Sequence, residues 1–126
     1  LYLLKDARHP TQWVTDGEKL CAEIYGVQYP AVRTKMHNLH SDLDCWMVEM
    51  GYGRVLARPG LEPRLRELCV LSVLAGQYVK PQLLSHIKGA QNVGASIASC
   101  RSVLEQTTYV WGPEAQVFVD EILRQI

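Results

Sequence analysis

Residues 61–76, LEPRLRELCVLSVLAG, decide the fold. Leu65, Leu68, Cys69, Leu71, Val73, Leu74 and Ala75 recur at one-, three- and four-residue steps, and no polar alternation of the strand type interrupts them. Apolar residues cover most of the circumference of the helix this spacing predicts, so it is expected to be the central and most buried one. Pro63 fits the first turn, where a missing N–H costs nothing, and Gly76 lies near the end.

Working outward, Arg58-Pro59-Gly60 reads as the turn before this helix, and Gly51-Tyr52-Gly53 as the end of the preceding one. That preceding helix is predicted from about Met36 to Met50, with Leu39, Leu43, Trp46, Met47 and Met50 on one stripe. The first helix, capped by Thr15 or Asp16, carries Leu20, Ile24 and Val27 and stops near Tyr29-Pro30. Downstream, a helix begins at Lys80-Pro81, carries Leu83, Leu84, Ile87 and Ala90, and closes at Gly94. Ser96 or Ser99 caps a fifth, through Val103 and Leu104. Trp111-Gly112-Pro113 breaks the chain before a last amphipathic helix with Ala115, Phe118, Val119, Ile122 and Leu123. The expectation is an all-α bundle of about six helices in one domain, residues 1–126.

Composition narrows the classes of function. With 126 residues, 48% hydrophobic and 21% charged, the chain has the make-up of a globular domain. Thirteen lysines and arginines balance 13 aspartates and glutamates, so no basic footprint for nucleic acid is present. No apolar run approaches the roughly 18 residues needed to cross a bilayer, and no signal peptide is visible. Cys21, Cys45, Cys69 and Cys100 are scattered, three of them within apolar helical patterns. They read as reduced, mostly buried thiols in a reducing compartment, the cytoplasm or an organelle matrix.

His86 is the side chain best suited to proton transfer, since an unperturbed imidazole titrates near pH 6.5. It is equally readable as a partly buried histidine packing on its neighbours. Arg64 and Glu67, three apart, read either as a solvated surface pair or with Glu67 at the edge of the core beside His86. In the second reading the carboxylate fixes the imidazole tautomer, and a nearby arginine holds an anionic substrate by a forked contact. His37 and His40, with Asp42 and Asp44, lack a third ligand at metal-binding spacing, so no metal is expected. Nothing resembles a phosphate-cradling glycine loop or a nucleophile elbow, and no cofactor is expected.

From Tyr52 to Ala115 the sequence resembles the carboxymuconolactone decarboxylase family, which includes AhpD-like peroxidases. The resemblance is carried by Tyr52-Gly53, Arg58-Pro59-Gly60-Leu61, Arg66, Leu68, Leu83, His86, Ala90, Asn92, Gly94, Val103-Leu104, Tyr109, Pro113 and Ala115. The Arg-Pro-Gly-Leu turn followed by the arginine and then the histidine helix is its most specific part. AhpD-like members carry a Cys-x-x-Cys pair before the histidine; here those positions are Val79 and Gln82, so dithiol peroxide reduction at this site has no nucleophile. Glu67 matches that branch's relay glutamate.

The cysteine-free branch decarboxylates a carboxylated unsaturated lactone without a cofactor. By resemblance, His86 and Glu67 would be the catalytic pair and Arg58 and Arg66 would bind the substrate carboxylates; Trp111, by its size, would line or close the pocket. The resemblance further implies a homo-trimer or homo-hexamer acting in the breakdown of aromatic compounds, with sites near subunit interfaces. Three positions depart: Ser102 replaces an acidic residue, Trp111 replaces a small glycine, and Glu67 stands where the decarboxylases often carry a small polar residue. These departures leave open a non-catalytic oligomeric member, or a redox-linked one using an exposed, reactive Cys69.

Overall fold

The computed structural model describes residues 6–126. Helix accounts for 82% of the structure, and no strand occurs among the described residues, so the chain is all-α as its periodicity predicts. The length predicts one domain; within it the helices group into two compact units that meet in sequence at Pro63–Arg64.

In the first unit, α1 spans Pro10–Tyr25, a 3-10 turn spans Gly26–Gln28, and α2 spans Tyr29–Leu39. α3 covers Ser41–Trp46 and runs directly into a π-helical segment, Met47–Leu56. These boundaries correct the sequence reading in three places. α1 starts five residues before Thr15, because the His9 ring accepts from the Thr11 N–H (3.3 Å) and Pro10 occupies the first turn. Pro30 opens α2 instead of closing α1, sitting in a first turn where its missing donor is harmless. The helix expected over 36–50 is broken at His40, whose extended backbone (φ −171°) and ring cap α3 through the Asp42 N–H (3.1 Å).

Gly51 and Gly53 do not end that helix. They lie inside the π-helical segment, and Gly53 is required by the close approach of α1. A Cβ on Gly53 would collide with the Trp13 carbonyl, and one on Gly17 with the Val48 carbonyl oxygen and, at 2.8 Å, the Gly53 nitrogen. The two backbones therefore touch, with Leu20, Cys21, Ile24, Val48 and Tyr52 buried in this unit. Tyr25 and Tyr52 pack with ring centroids 5.8 Å apart.

Two arginines tie the unit together. Arg33 forks onto Asp44 (2.5 and 2.9 Å) and donates to the Tyr29 hydroxyl (2.8 Å), joining α2 to α3. Arg8 bonds Asp6 and Asp16 and donates to the carbonyls of Gly53 (3.0 Å), Ala57 (3.3 Å) and Arg54 (3.4 Å). A cation there satisfies carbonyls that the last turn of a helix leaves unpaired.

The second unit contains α4 (Pro63–Gly76, its first residue at the boundary), α5 (Lys80–Asn92), α6 (Ile97–Trp111) and α7 (Pro113–Leu123). Sequence punctuation is realised here: Ser96 caps α6 by accepting from the Ser99 N–H (3.0 Å), Gly94 turns with φ +95°, and Gly112 separates α6 from α7 with φ +89°. Leu71, Ala75, Leu83, Ile87, Ala90, Cys100, Leu104, Val119 and Ile122 form its core. α4 is less buried than its apolar composition predicts. It buries Arg66, Glu67, Leu71 and Ala75, while Leu65, Cys69 and Val73 are exposed.

α4 ends in a Schellman turn: the Tyr78 N–H donates to the Ala75 carbonyl and the Val79 N–H to the Leu74 carbonyl, each at 3.2 Å. The left-handed position of this turn, normally glycine, is Tyr78, with φ +57°. A side chain there costs about 1–2 kcal/mol. Its ring packs edge-on to Phe118 of α7 (5.5 Å, 79°), an arrangement worth about 0.5–1.5 kcal/mol, so the aromatic pair offsets most of the strain.

Candidate functional site

Glu67 lies one turn into α4, on the face that continues through Leu71 and Ala75 into the core. Its side chain is 1% exposed, which excludes the solvated Arg64–Glu67 pair and leaves the core-edge reading. His86 lies on α5, one residue before the buried Ile87, with a side chain 14% exposed. The two meet: His86 Nδ1 is 2.8 Å from Glu67 Oε2. A carboxylate accepts only, so Nδ1 carries the proton in this bond and Nε2 becomes the ring atom through which the pair can take or give one. Oε1 of Glu67 is buried without a hydrogen-bond partner among the described residues, which leaves the carboxylate a second, unused acceptor.

The remaining predicted residues are placed as follows. Arg66 is buried at 7% exposure on α4. It precedes Glu67 by one position, and consecutive helical residues diverge by about 100°, so the two do not share a face. Arg58 belongs to the first unit, where with Asp16, Lys19, Leu20, Glu23, Leu56, Ala57, Leu61 and Pro63 it lines a cleft of about 260 Å3. Trp111, 47% exposed, lays its ring on Gly76: a Cβ on that glycine would fall within 2.6 Å of the indole nitrogen. Gly76 is nine residues beyond Glu67, about 13 Å along α4, so Trp111 does not cover the Glu67–His86 pair.

Two cysteines depart from the expected burial. Cys21 and Cys100 are buried and Cys45 and Cys69 exposed, all four as free thiols. Burial pushes the Cys21 thiol up to about 12 and raises Cys100 as well. Cys69 is exposed, as a redox reading needs, but it follows Glu67 by two positions, about 200° around α4 and on the opposite side from the His86 pair. Of the histidines near α3, His40 is occupied as a cap and Asp44 by Arg33. No group of three His, Cys, Asp or Glu side chains suited to a metal occurs among the described residues. Nor is any helix of the described residues long and apolar enough to cross a membrane.

Sequence reasoning did not find Arg8, the Arg33–Asp44 fork, the Gly17–Gly53 contact or the strained Tyr78. Only the glycines carry a signal, and hydropathy cannot register it. Compared with known proteins, the chain matches no family model and no curated sequence.

Proposed function

We propose that this chain is a carboxymuconolactone decarboxylase-like protein, a cofactor-free lyase that decarboxylates a small carboxylated unsaturated lactone or related acid. The reading rests on one observation: an imidazole with 14% of its surface open to solvent, held at 2.8 Å by a carboxylate that is 1% exposed. That arrangement suits proton transfer to carbon. The C–C bond to the leaving carboxylate breaks, carbon dioxide departs, and the electron pair delocalises onto the lactone carbonyl as an enolate. His86 then delivers a proton from Nε2 to carbon and recovers one from water, while Glu67 holds the ring's orientation. Arg66, on α4 beside Glu67 in sequence, is the cation that resemblance assigns to the substrate carboxylate in the second unit. The resemblance also assigns the chain a homo-trimeric or homo-hexameric assembly, and four free thiols fit a reducing, cytoplasmic setting.

The test is a screen of small unsaturated lactone acids and keto acids for carbon dioxide release, with His86→Ala as control. Turnover that disappears in His86→Ala and falls with Glu67→Gln supports the reading. Turnover that survives His86→Ala, or no release across the whole panel, removes it.

A further inference from the structure

We propose that Tyr78 is a positioning residue: by clasping Phe118 it holds the α4–α5 turn in a strained state that sets His86 against Glu67. The catalytic meaning of this rests on the function proposed above; the geometric claim does not.

Four observations converge. Tyr78 is the one non-glycine residue with positive φ among the described residues, and a bulky side chain occupies that region only when its surroundings hold it there. Its ring is held by Phe118. Two residues on, Lys80 at the start of α5 pairs with Glu121 (2.5 Å), and Phe118 and Glu121, three apart, lie on one face of α7. Finally, α5 has no side-chain cap at its N-terminus, so its entry is fixed by the turn and by these two contacts with α7.

The consequence falls on His86, six residues beyond Lys80 and therefore about 9 Å along α5. A tilt of roughly 10° about the start of α5 displaces the imidazole by about 1.6 Å. The 2.8 Å bond to Glu67 does not survive that displacement, because N–H···O bonds weaken beyond about 3.2 Å. Such a tilt carries Ile87 with His86, so the burial of Leu83 and Ile87 in the core opposes it alongside the clasp. Glycine at position 78 would form the same turn without strain but without the ring, so the tyrosine is explained by what it holds and not by what the turn needs.

The experiment measures exchange of the His86 Nδ1 proton with water by NMR in labelled full-length protein at fixed pH, beside the amides of Leu71 and Leu83. Tyr78→Ala is expected to accelerate the Nδ1 proton by about ten-fold or more while the core amides change far less. Tyr78→Phe, which keeps the ring, is expected to stay within about two-fold of the parent. Phe118→Leu keeps an apolar side chain against the core but removes the aromatic edge contact; it is expected to follow Tyr78→Ala, and it decides the matter should that variant fail to fold. An unchanged Nδ1 proton in the folded variants overturns the proposal, as does acceleration of the core amides by the same factor. Absence of carbon dioxide release with this exchange pattern intact would remove the proposed function and leave the clasp standing.

Discussion

The Glu67–His86 pair makes an asymmetric prediction about stability. The two partners differ in what each leaves behind when its mate is removed. His86→Leu strands a carboxylate whose side chain is 1% exposed, and leaving a buried charge unpaired costs about 3–5 kcal/mol. Glu67→Leu leaves an imidazole that is 14% exposed and can turn to water. It loses one hydrogen bond to a charged group, worth about 1.5–3 kcal/mol, and regains part of this because leucine fills the same space without desolvating a charge. The expected cost is about 1–2 kcal/mol. In the double variant no charge is stranded, so it should be more stable than His86→Leu alone, with a total cost below about 2 kcal/mol. Native-state amide exchange at Leu71 and Leu83, in the same core, reports the second unit directly. Equal costs for the two single variants, or a double variant equal to their sum, would refute the claim that a buried, charged Glu67 depends on His86.

Four further outcomes are expected. Gly17→Ala should lower the stability of the first unit by a net of about 2 kcal/mol in urea denaturation, because forcing a methyl between two backbones outweighs the roughly 1 kcal/mol of added helix propensity. Gly76→Ala should displace the Trp111 ring and shift its emission to the red when Trp13 and Trp46 are replaced by Phe. Asp6, held down to about 2 by its bond to Arg8, and Asp44, lowered by Arg33, are depressed in the folded state. Their contribution is thus complete above the unfolded carboxylate value of about 3.9 and lost as pH falls from there through about 2, and Arg33→Ala should flatten this acid-induced loss. Thiol titration of the native protein should label Cys45 and Cys69 quickly, with Cys21 and Cys100 reacting only on unfolding.

How far the sequence could be read depended on whether a feature is local. Pro63, Gly94, Ser96 and Gly112-Pro113 act through their own backbone geometry, and the helices they bound lie where their spacing predicts. His86 and Glu67 stand out individually by residue type, yet their contact joins two helices, and nothing in the spacing along either helix fixes the 2.8 Å between them. The first unit misleads a local reading because its determinants are non-local. Gly51 and Gly53 look like terminators, whereas Gly53 is glycine on account of Trp13 in α1. Pro30 looks like a stop and serves as a start. Tyr78 gives no warning at all, since aromatic residues rarely occupy that turn position and only the edge-on packing of Phe118 accounts for it.

The crossing of α1 over the π-helical segment has a consequence for recognising other chains of this shape. Where two main chains touch, the absence of a side chain is itself the contact, and neither Gly17 nor Gly53 can be exchanged for a larger residue by compensation at the other. A substitution at either demands movement of carbonyl groups, not a new rotamer. The two glycines therefore form a fingerprint that should outlast most of the apolar residues around them, which can trade volume with one another.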